Sequence, residues 1–121
     1  MEFKTNRGIY LQIADNLCNQ ILDGSLQPNE RVLSVRDLAV ELEVNRNTVM
    51  RSYAYLQEEG VFENKRGVGF FVAEKAIEKI RKKEKNYFFK NELLDVIKKV
   101  KLLKLTSKDL QELIKEINKN D

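Results

Sequence analysis

The sequence predicts a mainly α-helical chain with one small β-hairpin, and three observations carry that reading. Apolar residues recur at intervals of three and four over most of the length, the spacing that lines one face of a helix. The stretch Val61–Val72 instead holds two short β-prone runs joined by a basic, glycine-bearing linker. From Glu74 onward there is no Gly and no Pro, so nothing local stops a helix there.

Ile9 or Tyr10, Ile13, Leu17 and Ile21 form one stripe, which predicts a first helix over 9–22. Asp23-Gly24 ends it, because Gly suits the left-handed position just past a helix. Ser25–Arg31 holds the only Pro, Pro28, followed by Asn29, and reads as a turn. Ser34-Val35-Arg36-Asp37 is a helix start, in which the Ser34 hydroxyl caps and Asp37 reaches back toward it. Val35, Leu38, Ala39 and Leu42 give this short second helix its apolar stripe. Asn45 caps a third helix, which buries Val49, Tyr53 and Leu56 and ends near Glu59-Gly60. Val61-Phe62-Glu63 and Phe70-Phe71-Val72 are the arms of the hairpin, with Asn64–Gly69 as its tip. Beyond Glu74 we expect one long helix, with a break near Asn86 left open. Thr106-Ser107-Lys108-Asp109 then caps a last, shorter helix.

Composition excludes several functions. The 121 residues include no His, no Trp and one Cys. A Cys/His zinc site cannot be assembled, and neither can catalysis that depends on an imidazole base. No metal and no cofactor are expected. Glu41 with Glu43, and Glu58 with Glu59, are carboxylates one or two apart on helices; such neighbours do not converge on one substrate atom, so an enzyme is not expected. Cys18 lies by the stripe of the first helix and reads as a small core residue. No apolar run is long enough to span a membrane, and Arg81-Lys82-Lys83 flanks only Ile77 and Ile80, too narrow a face to hold a membrane surface. Met1-Glu2-Phe3-Lys4 opens no signal pattern, and a lone Cys fits a reducing compartment, so the expected location is the cytoplasm.

Charge is unevenly placed. Residues 1–73 hold 8 Lys/Arg against 10 Asp/Glu, and residues 74–121 hold 14 against 9. A solvated lysine-rich helix face accounts for the basic tail. In the first part the arrangement matters more than the sum. Three short helices followed by a hairpin is the order of a winged helix, and the tight Glu43-Val44 turn would present the third helix outward. With Val49, Tyr53 and Leu56 inward, Asn45, Arg46, Asn47, Thr48 and Arg51 face out, and no acid occurs between Val44 and Gln57. Arg matches guanine edges, Asn matches adenine, and Thr contacts a thymine methyl or a phosphate. Double-stranded DNA is the partner this face suits.

These residues also resemble a known family. Gly8-Ile9-Tyr10-Leu11-Gln12-Ile13 is similar to the opening Pro-Ile-Tyr-x-Gln-Ile of the GntR family of bacterial transcription regulators. The resemblance continues through Ile21–Pro28, Leu33–Ala39, Val44–Val49, Tyr53, Leu56, Glu59-Gly60 and Gly67–Val72. Asn29 stands where the family usually has Gly, and Leu33 where it has Pro; Asn tolerates a left-handed turn, and Ser34 remains to cap. Met50 replaces a basic residue common in many branches, which fits the YtrA-like branch, as does a tail too short for the large effector domain of most members. The resemblance implies that Arg36 and Arg46 read bases or clamp phosphates. Ser34, Asn45, Asn47, Thr48 and Arg51 would add contacts, and Gly67 and Gly69 would let the tip approach the minor groove between Lys65 and Arg66. Tyr10 either offers its hydroxyl to a phosphate or closes the core.

The expected architecture is thus a winged helix-turn-helix over 1–73 followed by a two-helix dimerisation segment over 74–121. In the tail, Phe89, Leu93, Val96 or Ile97, Val100 and Leu103 repeat on the long helix, and Leu110, Leu113, Ile114 and Ile117 on the last. One protomer cannot cover that apolar area, so a second copy is its natural cover. Tyr87-Phe88-Phe89 reads as part of the same core. The expected function is a homodimeric repressor on an inverted-repeat operator. The alternative is a winged helix that binds protein without specific DNA recognition. No small-molecule effector is identified by the sequence.

Overall fold

The structure is a computed structural model that describes residues 8–119; residues 1–7 and 120–121 lie outside the described residues. Helix α1 spans Ile9–Asp23 and turns its buried face, Ile13, Ala14, Leu17 and Ile21, to the core. Gly24 closes it in the left-handed conformation, with its N–H donated to the Ile21 carbonyl. Helix α2 spans Val35–Leu42, and the Ser34 hydroxyl accepts the Asp37 N–H at 3.0 Å. Leu38 and Ala39 are buried, whereas Leu42, expected on the same stripe, lies at the exposed margin. The turn after α2 is made by Glu43 in the left-handed region, followed by Val44 and Asn45. Helix α3 spans Arg46–Glu58 and buries Val49, Ser52, Tyr53 and Leu56.

Strands β1 (Phe62–Lys65) and β2 (Gly69–Val72) pair antiparallel, with Phe62 opposite Val72 and Lys65 opposite Gly69. The tip is shorter than expected. Asn64 and Lys65 belong to the ladder, and only Arg66–Val68 turn, closed by the Val68 N–H to the Lys65 carbonyl. A segment that the sequence reads as a plain turn also joins the hairpin. Asn29 and Val32 donate to the Val72 and Phe70 carbonyls, and Val72 donates to Glu30, so residues 29–32 run beside β2. Asn29 takes a φ of +68° to enter this pairing, the left-handed geometry expected of it.

Tyr53 joins these parts. Its ring meets Phe62 and Phe70 edge-on, at centroid separations of 5.2 and 5.1 Å. Its hydroxyl donates to the Leu33 carbonyl at 2.7 Å, just before the cap of α2. Leu33, which stands where the GntR pattern has Pro, therefore contributes a carbonyl that either residue would offer.

Helix α4 spans Ala76–Tyr87. Ala73, Ala76 and Ile80 are buried in the same core as α1 and α3, so the first compact unit extends to Lys83 rather than stopping at residue 73. Burial works against the Lys83 ammonium, but its bonds to Glu59 and to the Tyr55 hydroxyl prevail and raise its pKa. The second unit begins at Glu84. The break left open near Asn86 is instead a π-helical turn over Phe88–Glu92, closed by the Leu93 N–H to the Phe88 carbonyl; helix α5 follows over Leu93–Leu102. With no Gly available, Lys104 takes the left-handed position after α5, and Leu105 donates back to Val100. Helix α6 spans Ser107–Lys119, and Thr106 and Asp109 cap it reciprocally, each side chain accepting the other's N–H.

Burial, and then the Glu41 carboxylate, push the Tyr53 phenol up to about 12. A folded-state value above the unfolded one means that its contribution is complete below about pH 10 and is lost as pH rises toward 12. Urea unfolding across pH 8–11.5 should show this alkaline decline. Tyr53→Phe should flatten it while costing about 1 kcal/mol at neutral pH through the lost hydrogen bond. An unchanged alkaline decline in that variant would refute the assignment.

Candidate nucleic-acid interface

Three elements of the first unit carry the side chains singled out in the sequence. Ser34 and Arg36 stand exposed at the start of α2. Asn45, Arg46, Asn47 and Arg51 are exposed on α3, and Thr48 is half-buried at its edge. Lys65, Arg66 and Gly67 are exposed at the hairpin, with Gly69 half-buried beside them. All these positions therefore belong to one compact body, held by the core behind α3.

Local bonding divides their roles. The Asn45 side-chain oxygen accepts the Asn47 N–H at 2.7 Å, so only its amide NH2 is left to donate outward. Two-point pairing with an adenine needs both groups, and Asn47 is better placed to supply them. Ser34 spends an acceptor lone pair on the cap and retains its hydroxyl proton as a donor. The α3 N-terminus, with no acid in its first turn, adds backbone N–H groups and the positive end of its dipole. Lys65 rests its ammonium 4.3 Å from the centre of the Phe71 ring, on the hairpin itself. The Tyr10 ring lies against Arg51, whose guanidinium carbon is 4.0 Å from the ring centre.

The structure adds one residue that the sequence reading missed. Arg31 reaches from the segment beside β2 and donates to the Val68 carbonyl at 2.6 Å, 37 residues away. Its guanidinium fills the space over Gly69, where an added Cβ would lie 3.1 Å from the Arg31 Nε. Gly69 also holds a φ of +142°, a region that side-chain-bearing residues rarely adopt. The glycine thus serves both backbone and arginine, and the arginine props the hairpin tip. Gly67 has a left-handed φ of +80° with open space around it. Nothing local in the sequence marks Arg31, because its partner is distant along the chain.

A helix-turn-helix whose outward helix is basic and carries no acid before Glu58, followed by a propped hairpin, defines a winged-helix DNA-binding domain. The family model described as "Bacterial regulatory proteins, gntR family" matches residues 9–72. The chain belongs to the GntR family of transcription regulators, and it is a regulator rather than an enzyme. It is 36% identical over 114 residues to the uncharacterised HTH-type regulator YhcF of Bacillus subtilis, spanning 94% of this chain and 93% of that one. It is 36% identical over 73 residues to the repressor YtrA of the same organism, covering 60% of this chain and 56% of that protein. Among solved structures, a GntR-family regulator from Bacteroides thetaiotaomicron superposes with a TM-score of 0.78 at 42% identity, over 93% of this chain and 98% of that one.

Gly69→Ala should destabilise the chain by about 1–3 kcal/mol through backbone strain, and it should displace Arg31 as well. Gly67→Ala, strained in φ but unobstructed, should cost less. Urea midpoints of the two variants test this order, and equal losses would remove Arg31 from the account of the hairpin tip.

Proposed function

We propose that this regulator is a homodimeric repressor that sits on an inverted-repeat operator in the cytoplasm. The observation that carries the DNA part is the exposed, acid-free surface of α3 from Asn45 to Arg51. Arg46 and Asn47 read base edges in the major groove, and Arg36, Arg51, Thr48, Asn45 and Ser34 add base and backbone contacts. The hairpin, with Lys65, Arg66, Gly67 and Gly69, approaches the minor groove and neighbouring phosphates. The repressor role draws support from YtrA, which is named a repressor.

Dimerisation is carried by the segment from Glu84 onward. On α6, Leu113, Ile114 and Ile117 are more than half exposed although they share one helix face. Phe89, Val96, Ile97 and Leu103 are exposed as well, with Leu93, Val100 and Leu110 half-buried among them. Contiguous apolar surface of this kind calls for a partner, and a second copy supplies a matching face. A two-fold axis would set both α3 helices on one side of the duplex, with half-sites about one helical turn apart or a multiple of it. Pairing two weak half-site contacts also raises affinity through effective concentration.

Binding should depend steeply on salt. With about three or four phosphate contacts per protomer, the log–log slope should be about −6 for the dimer. Arg46→Ala should cost about 1–3 kcal/mol per half-site and relax base preference. Mobility-shift titrations at several salt concentrations test both, and a flat salt dependence would sink the DNA reading.

Light scattering at micromolar concentration should give the mass of a dimer. Leu113→Asp, which puts a charge into the proposed contact, should give a monomer that binds DNA far more weakly. A monomeric parent chain would overturn the assignment of the tail.

A further inference from the structure

A row of basic and aromatic groups runs along one flank of α3, and of these the contacts proposed so far use only Arg51. The Arg51 guanidinium lies over the Tyr10 ring at 4.0 Å. Tyr10 meets the Tyr55 ring at a centroid distance of 6.4 Å and an angle of 79°. Lys83, from α4, stands 4.5 Å from the Tyr55 ring centre, donates to the Tyr55 hydroxyl, and donates to Glu59 Oε1 at 2.6 Å. The backbone is fixed at the same place, because the buried Ser52 hydroxyl donates to the Tyr10 carbonyl at 2.6 Å. Tyr10 is thus held from below by α3 and from one side by Tyr55.

The chemistry of this shelf suits an arginine that must both stay in place and remain free to bind. An exposed arginine in mid-helix samples many rotamers, and ordering it on DNA costs side-chain entropy. A carboxylate partner would hold it but would occupy the same N–H donors that phosphates and bases need. An aromatic face attracts the guanidinium through its flat side and leaves the in-plane N–H donors available. No acid lies within six residues of Arg51 along the chain to compete, since none occurs between Val44 and Gln57.

We propose that Tyr10 is a positioning residue for DNA binding: its ring, braced by Tyr55 and Lys83, pre-orders Arg51 for the duplex, and its hydroxyl is not the functional group. This rests on the DNA reading above. It separates the two roles left open for Tyr10, because a phosphate contact needs the hydroxyl and a shelf needs only the ring.

The test uses the full chain and, as probe, the duplex that the parent protein enriches from a random-sequence library. Affinities are measured by fluorescence anisotropy at one fixed salt concentration, with thermal melts alongside. Tyr10→Phe should bind as the parent does. Tyr10→Leu should bind about two- to thirtyfold more weakly, the range of an exposed cation–π contact counted once or twice per dimer. Tyr10→Met provides a second ringless variant should the first fold poorly. In the Arg51→Ala background, Tyr10→Leu should cause no further loss. NMR relaxation of the Arg51 Nε–H in the free protein should show order that Tyr10→Phe keeps and Tyr10→Leu abolishes, which a purely structural role for Tyr10 would not produce. Equal losses in Tyr10→Phe and Tyr10→Leu would assign the hydroxyl to a phosphate and overturn the proposal. So would an additive loss in the double variant. A harmless Arg51→Ala beside a damaging Arg46→Ala would refute the shelf but leave the DNA reading standing; enrichment of no duplex at all would refute the DNA reading itself.

Discussion

The winged-helix unit depends on the burial of one side chain, Tyr53, because three separate parts of the chain use it as their common support. Its ring sits between Phe62 on β1 and Phe70 on β2, and its hydroxyl holds the backbone at Leu33. The orientation of α3, the hairpin and the approach to α2 are therefore set by one phenol with no exposed surface. A phenylalanine would fill the same space but release the Leu33 carbonyl. The exposed surface of α3 proposed to face the bases is the opposite side of the helix from the one that buries Tyr53, so one element would serve both support and recognition.

The hairpin is built on the same economy. Two strands of four residues make a small sheet, and a two-stranded hairpin has little stability by itself. Residues 29–32 lend it a partial third strand, and Arg31 extends that support to the tip through Val68. The tip can therefore carry exposed Lys65 and Arg66 without a core beneath it. Gly69 makes this possible twice over, by its backbone angle and by the room it leaves for the arginine.

Charge shows why totals mislead for a protein of this kind. The part up to residue 73 carries more acids than bases, yet α3 from Asn45 to Gln57 carries two arginines and no acid. Over distances beyond about 8–10 Å salt screens the rest, so the local arrangement governs what a phosphate meets. The basic excess of the tail sits instead on helices that also expose Leu, Ile, Val and Phe side chains.

What the sequence determined by itself is whatever depends on neighbours along the chain. The end of α1 at Gly24, the caps at Ser34, Asn45 and Thr106, the left-handed turn at Asn29 and the buried face of α3 all follow from residues within about one helical turn of each other. The family resemblance over residues 9–72 was legible for the same reason, since it rests on such local motifs in series. Tertiary structure alone decided the contacts between distant segments: Arg31 on Val68, Tyr53 on Leu33, Tyr10 beneath Arg51, and α4 on the core through Ala76 and Ile80. It also turned the possible break near Asn86 into a π-turn and shortened the hairpin tip. A charged or aromatic side chain carries no local mark of which remote carbonyl or ring it will meet. That partner exists only once burial of the apolar stripes has brought the two segments together.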